Sequence, residues 1–276
     1  MPDLAPAARR VIRFIDDNRA TALASSAMEI AAQVGTSDAT VVRAAQSLGF
    51  TGLAGLKQAL AASIDRPATP ADDMRHTLAE VGESAAKAVD VVLDAHREAL
   101  VGLATPEAKG RIATAVSLLH GAGRIAIFGI GPSAALAHYA AVPLGRTGRR
   151  TLILDRTGRM LADQLLDLRP GDALLALSYG RPYREVLTVF SEARRLGLPT
   201  VLLTSDPKHK LGSLADVVLV AARGRAGQVA LHGATLVAIE AIVLGLASAF
   251  GGEALATLDR LNALREAVGE RRRGEG

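Results

Sequence analysis

The chain has 276 residues, 49% hydrophobic and 22% charged, a globular balance that leaves room for one large domain or two ordinary ones. It has no cysteine, which excludes a disulfide framework and a thiolate site, and its six histidines show no HxxH or HxxxH pairing, so neither a metal nor another cofactor is expected. The net charge of +4 is uneven: residues 105–250 carry 17 Lys/Arg against 10 Asp/Glu, which favours a small anionic ligand there and does not by itself argue for nucleic acid.

The opening MPDLAPAARR lacks the unbroken apolar core of a signal peptide. The most apolar stretch, 234–250, contains Glu240 and is too short for a membrane span. The chain therefore reads as cytoplasmic with no membrane partner.

Residues 5–18 read as a helix with Val11, Ile12, Phe14 and Ile15 on one face. Ser26 and Glu29 form a capping-box pattern that starts a short helix to Val34. Gly35 stops it, Ser37 caps the next helix to about Ser47, and Gly49 ends that one. A further helix over about 52–64 carries Leu53, Leu56, Leu60 and Ile64. Two helices joined by Gly35-Thr36-Ser37 point to a helix-turn-helix. Ala31 is small where the helices would cross, Gly35 suits a positive φ, and Val41 would pack the second helix on the first. An ordinary helical hairpin in a bundle is the plainer reading.

In a DNA-binding reading, Ser37, Asp38, Thr40, Arg43 and Gln46 are the outward positions of the recognition helix, and Lys57 is placed to hold a backbone phosphate. Each has a simpler role open to it: Ser37 as cap, Asp38 against the helix dipole, Arg43 as solvated surface. One copy with so little net charge should bind weakly, so a dimer on a two-fold site is expected.

The prolines and polar residues of 65–73 read as a linker. One long acidic helix is expected over 74–103, and Thr105-Pro106-Glu107 is a strong helix start. The boundaries that follow are a helix-turn-helix domain at 1–64, a linker and connecting helix at 65–104, a ligand domain at 105–250, and a helix with the basic tail Arg271-Arg272-Arg273 at 251–276.

From Arg124 the pattern alternates between strand (124–129, 151–154, 173–178, 199–204, 216–221) and helix (133–145, 159–167, 183–196, 232–250), with a short turn at 209–214. That predicts a doubly wound, five-stranded parallel sheet with ligands at the carboxyl ends of its strands. Two strand ends carry chemistry. Gly129, Gly131 and Ser133 form a glycine turn at a helix start, suited to a phosphate or sugar. Ser178, Tyr179, Arg181, Tyr183, Arg184 and Glu185 follow the third strand, with hydroxyls and guanidinium groups suited to a sugar and an anion. Thr204 and His232 complete the rim with weaker signals. Gly129-x-Gly131-x-x-Ala134 also fits a dinucleotide fingerprint, with Asp155 where a ribose-binding acid belongs.

Three stretches carry a family resemblance: GTSDATVVRAAQSLGFTGLAGLK at 35–57, FGIGPSAALA at 128–137 and LSYGRPYREV at 177–186. Together they resemble RpiR-type transcriptional regulators, which join a helix-turn-helix domain to a SIS (sugar isomerase) domain. The resemblance covers about residues 5–250. It implies an all-α domain followed by a SIS-like α/β domain, promoter DNA as partner, a phosphosugar or sugar acid as ligand, and a homodimer or homotetramer built through the SIS domains. The third stretch departs from the family's Ser-x-Ser-Gly-x-Thr-x-Glu pattern: Ser178 and Glu185 match, but Gly180, Arg181 and Tyr183 stand for the second Ser, the Gly and the Thr. Glu185 falls where SIS isomerases place a base, so a sugar-phosphate isomerase is the main alternative to a regulator, and a dinucleotide-binding redox sensor the second.

Overall fold

The computed structural model describes residues 5–65 and 69–270, and the chain divides into two compact units, Met1–Asp73 and Met74–Gly276. The tail Arg271-Arg272-Arg273, residues 66–68 of the expected linker and the side chain of Ile64 lie outside the described residues.

The first unit contains α1 (Pro6–Asp17), α2 (Arg19–Ala24), α3 (Ala27–Val34), α4 (Asp38–Ser47) and α5 (Leu53–Asp65). The short α2 has no expectation behind it, because six residues carry too little periodicity to read. The capping box forms in both directions: Ser26 N donates to Glu29 Oε2 at 2.6 Å and Glu29 N donates to Ser26 Oγ at 3.3 Å. Gly35 takes a φ of 70°, and Thr40 N donates to Ser37 Oγ at 3.3 Å to open α4. Ala31 and Val41 are both buried, in one core with Val11, Ile15, Ile30, Ala44 and Leu56.

The stretch expected to be linker is partly helical, because Thr69-Pro70 is itself a helix start. Thr69 N donates to Asp72 Oδ2 at 3.0 Å and Asp72 N donates to Thr69 Oγ1 at 3.3 Å, opening α6 (Pro70–Val81). The single long helix expected over 74–103 is two. Gly82, with a φ of 62°, ends α6, and Ser84 caps α7 (Ala85–Leu103) by accepting from Lys87 N at 3.3 Å.

The second unit continues with α8 (Pro106–His120), β1 (Arg124–Phe128), α9 (Pro132–Arg146), β2 (Thr151–Leu154), α10 (Arg159–Leu165), β3 (Asp172–Leu177) and α11 (Arg184–Arg195). After these come β4 (Thr200–Thr204), a 3-10 turn at Lys210–Leu214, β5 (Val217–Val220), α12 (Gly233–Ala249) and α13 (Gly251–Glu270). The five strands form one sheet, all parallel, in the order β2-β1-β3-β4-β5.

Both faces of the sheet are covered. Ile125, Ile127, Leu175 and Leu177 face a core with α7, α8, α9 and α12, while Ala126, Phe128, Leu174 and Ala176 face α10 and α11. This explains why the strands read as unbroken apolar runs. At the start of the sheet Arg124 donates from Nε and Nη2 to Asp172 Oδ1 and Oδ2 at 3.1 and 2.8 Å. That pair joins the first residues of β1 and β3, which are opposite each other in register.

Among the described residues no single helix is long and apolar enough to cross a membrane; α12 and α13 pass together only across a bend of 104°. Ala234, Ala238, Ile239, Ile242 and Leu246 of α12 are buried in the sheet core, whereas Val237 and Leu244 on the same helix are exposed.

Gly129 is where the sheet meets the glycine turn. A Cβ there would stand 2.4 Å from the carbonyl oxygen of Ser133. Gly129→Ala is therefore expected to destabilise the chain by about 1–3 kcal/mol by overpacking against backbone, read as a lowered urea midpoint; an unchanged midpoint would show that the turn relaxes freely.

Candidate functional site

The cavity that gathers the strand-end residues measures about 230 Å³ and lies beyond the carboxyl ends of β1 and β3. One wall is the turn that starts α9, contributing Ile130, Gly131, Pro132 and Ser133. Gly131 takes a φ of 58°, and the turn is closed by Ser133 N donating to Ile130 O at 3.2 Å and Ala134 N donating to Gly131 O at 3.1 Å. The opposite wall is the segment after β3, with Ser178, Tyr179 and Tyr183. Ser133 and Ser178 are both buried, whereas Tyr183, just ahead of α11, is exposed at the mouth.

Five of the expected ligand residues, Gly131, Ser133, Ser178, Tyr179 and Tyr183, thus line one space. The others do not. Gly129 supports the turn from behind. Arg181 and Arg184 are exposed, and Glu185 is half-buried in the first turn of α11. Thr204 is fully buried at the end of β4, its Oγ1 without a hydrogen-bond partner. His232 precedes α12 and sets its ring edge against Tyr179, with centroids 5.5 Å apart.

The guanidinium that lines the cavity is Arg223, which sequence reasoning missed. It lies over the Tyr179 ring at 4.2 Å, and Tyr179 Oη is 2.9 Å from Thr235 Oγ1 on α12. The strand-end rule, applied to β5 as to β1 and β3, points to it: Arg223 stands directly after the apolar run and Ala221-Ala222. Burial pushes the Tyr179 phenol above its ordinary pKa, opposed by the Thr235 hydrogen bond and the Arg223 charge. Burial, with the Arg223 charge, holds the His232 imidazole below its ordinary value.

Gly180 takes a φ of 67°, a conformation that a serine rarely adopts, so the departure from the SIS serine pattern has a backbone counterpart. Asp155, the ribose candidate, is already engaged. His138 Nε2 donates to Oδ2 at 2.9 Å and Gln164 Nε2 donates to Oδ1 at 3.1 Å. The His138 hydrogen bond, aided by Gln164 and the Arg156 charge, holds this carboxyl below its usual range against the cost of burial.

In the first unit, Ser37, Asp38, Arg43 and Gln46 are exposed and Thr40 and Lys57 half-buried, while Val41, Ala44 and Ala45 face the core. The capping roles are also present. Ser37 Oγ is 2.9 Å from Thr40 Oγ1, and Asp38 Oδ1 accepts from Ala39 N at 2.7 Å. Arg43 Nε donates back to Ala39 O at 3.3 Å.

The chain thus joins a helix-turn-helix unit to a doubly wound parallel unit with a cavity at its strand ends. Residues 2–67 match the helix-turn-helix domain of the rpiR family and residues 118–245 match the SIS domain. The chain belongs to the RpiR family of transcriptional regulators and carries a SIS domain. It is 27% identical over 254 residues to the HTH-type transcriptional regulator YbbH of Bacillus subtilis, covering 89% of this chain and 87% of that one. It is 29% identical over 203 residues, 74% of this chain, to the bifunctional protein glk of Burkholderia orbicola, but spans only 31% of that longer protein.

Among solved structures, the sugar isomerase domain of an RpiR transcription factor from Sphaerobacter thermophilus aligns with a TM-score of 0.56 at 28% identity, covering 63% of this chain and 97% of that one. NanR of Vibrio vulnificus, complexed with ManNAc-6P, shares the fold with a TM-score of 0.55 at 22% identity, covering 97% of this chain and 96% of that one.

The depressed Asp155 carboxyl fixes the sign of a pH effect. Its contribution to stability is present above the unfolded carboxylate value of about 4 and is lost as pH falls through the lower folded value. Wild type is expected to exceed Asp155→Asn in urea midpoint at neutral pH, and the gap to narrow below about pH 4; a gap independent of pH would contradict this.

Proposed function

We propose that this regulator binds promoter DNA as a two-fold homo-oligomer through α4, and that its SIS unit responds to a small anionic sugar derivative held in the 230 Å³ cavity. The observation that carries the reading is the cavity's position. It lies at the carboxyl ends of neighbouring parallel strands whose connections leave in opposite directions, the place where doubly wound sheets take ligands. Its polar lining of Ser133, Ser178, Tyr179, Tyr183 and Arg223 matches a hydroxyl-rich anion. The ManNAc-6P held by NanR supports a phosphosugar as one class to try, and a sugar acid is the other.

The SIS unit acts here as a sensor rather than an isomerase. The titratable side chains lining the cavity are two tyrosines and an arginine, which form no acid–base pair for enolisation, and Glu185 lies outside the lining. The engagement of Asp155 by His138 and Gln164 argues against a dinucleotide ribose there. Assembly through the SIS units, as dimer or tetramer, would supply the two recognition helices that a two-fold site needs.

The exposed, outward face of α4 makes Arg43 the decisive residue. Arg43→Ala is expected to weaken binding to a promoter fragment selected by the wild-type chain by about 1–3 kcal/mol while leaving the melting temperature in place. Fluorescence anisotropy at two salt concentrations reads this directly. Unchanged affinity would remove α4 as the recognition helix.

A further inference from the structure

The segment 221–232, between β5 and α12, has one end in the cavity and the other on α6 and α7. We infer that it is a strap: Arg223 at its inner end binds the ligand's anionic group, and the outer end passes occupancy of the cavity to α6. The inference rests on the reading of the cavity as the ligand site.

The inner end is built around Tyr179. Arg223 Cζ lies over the ring at 4.2 Å from its centroid, the His232 ring meets the Tyr179 ring at 73°, and Thr235 Oγ1 is 2.9 Å from the phenol oxygen. A guanidinium held over an aromatic ring binds a phosphate or carboxylate through its N–H groups, so the proposed anion contact does not require the ring contact to be lost. Arg181 and Arg184 are exposed and do not line the cavity; Arg223 supplies its positive charge.

The strap is a closed loop. Leu231 N donates to Arg223 O at 3.0 Å, which ties its two ends together. Gly224 and Gly227, with φ of 90° and 73°, make the turns between them. A displacement of Arg223 therefore moves the tip, residues 225–229.

That tip is held by two helices. Arg225 makes a bidentate pair with Glu98 of α7 at 2.7 and 3.2 Å and reaches Glu80 of α6 at 3.5 Å. Gln228 donates to Glu80, Val229 N donates to Thr77 Oγ1 at 2.9 Å, and His76 Nδ1 is 3.2 Å from Gly227 O. Thr77 is buried, while the Arg225–Glu98 pair is largely solvated, so the clasp combines one firm anchor with weak, reversible ion pairs. In chain order α6 is the next helix after α5. The relay requires this clasp to open and re-form, so that ligand at the inner end and DNA beyond α6 would each bias one equilibrium.

The test is hydrogen–deuterium exchange on the full chain and its Arg223→Gln, Arg223→Lys and Glu98→Gln variants. Without ligand, Arg223→Gln is expected to raise amide exchange over 74–81 by at least about twofold, with Arg223→Lys intermediate. Unchanged exchange there in both variants overturns the strap.

With inorganic phosphate, ManNAc-6P or gluconate as probe, wild type is expected to gain protection at both 129–134 and 221–232 with at least one probe. Arg223→Gln should then bind that probe about tenfold or more weakly. Protection at 129–134 with none at 221–232 overturns Arg223 as anchor and leaves the cavity reading standing. No protection at either segment with any probe overturns the cavity reading and the anchor together, while the ligand-free comparison still decides the strap. Glu98→Gln is expected to keep probe affinity within about twofold and to lose the probe's effect on DNA affinity. A probe that still shifts DNA affinity in Glu98→Gln as in wild type overturns the relay through the Glu98 clasp.

Discussion

The side-by-side register of β1 and β3, with Phe128 opposite Ala176, is the constraint on which the rest of the α/β unit depends. From β1 the chain leaves through α9 toward β2, and from β3 it leaves through α11 toward β4, so a crevice opens where the two connections part. The glycine turn and the Ser178–Tyr183 segment face each other only because these two strands are neighbours. At the far end the Arg124–Asp172 pair joins the first residues of both strands. A slip of one residue would break that pair and move every strand side chain to the wrong face.

The helix-turn-helix unit is organised on a different principle. Its turns are decided locally, by Ser26 with Glu29, by Gly35 at positive φ and by Ser37 on the amide of Thr40. A small core then joins all five helices, with Ala31 and Val41 at its centre. Because the caps occupy Ser37 and Asp38, the exposed side chains of α4 that remain for long reach are Arg43 and Gln46. Burial on one side and exposure on the other follow from the helical period of Val41, Ala44 and Ala45.

In the α/β unit the cavity draws on three strand ends rather than two. The apolar floor comes from Phe128 and Leu177, the hydroxyls from Ser133 and Ser178, and the positive charge from Arg223 after β5. Tyr179 is the joint between them, carrying the guanidinium on its ring and Thr235 on its oxygen. Gly180 and Tyr183 stand where the SIS pattern has Ser and Thr, and the cavity's guanidinium comes from another loop. The glycine is left-handed and brings no side chain, the tyrosine keeps a hydroxyl on a larger ring, and Arg223 brings the charge.

What the sequence by itself determined is whatever is decided within a few residues or by a simple period: the caps, the turn glycines, the five apolar strands, the alternation that makes the sheet parallel, and the three stretches that together carry the family resemblance. Thr69-Pro70 and Ser84 are equally local signals, but the prolines and polarity of 65–73 read as a linker and the helical pattern of 74–103 runs on through Ser84. What only the tertiary structure decided is which strand-end residues share a space. Arg181 and Arg184 are near Ser178 in sequence yet turn out exposed, while Arg223 lies 45 positions further on and lines the cavity with it. Strand order and the path of the β5–α12 segment bring those residues together, and neither is set by local propensity. They follow from burying both faces of one sheet at once.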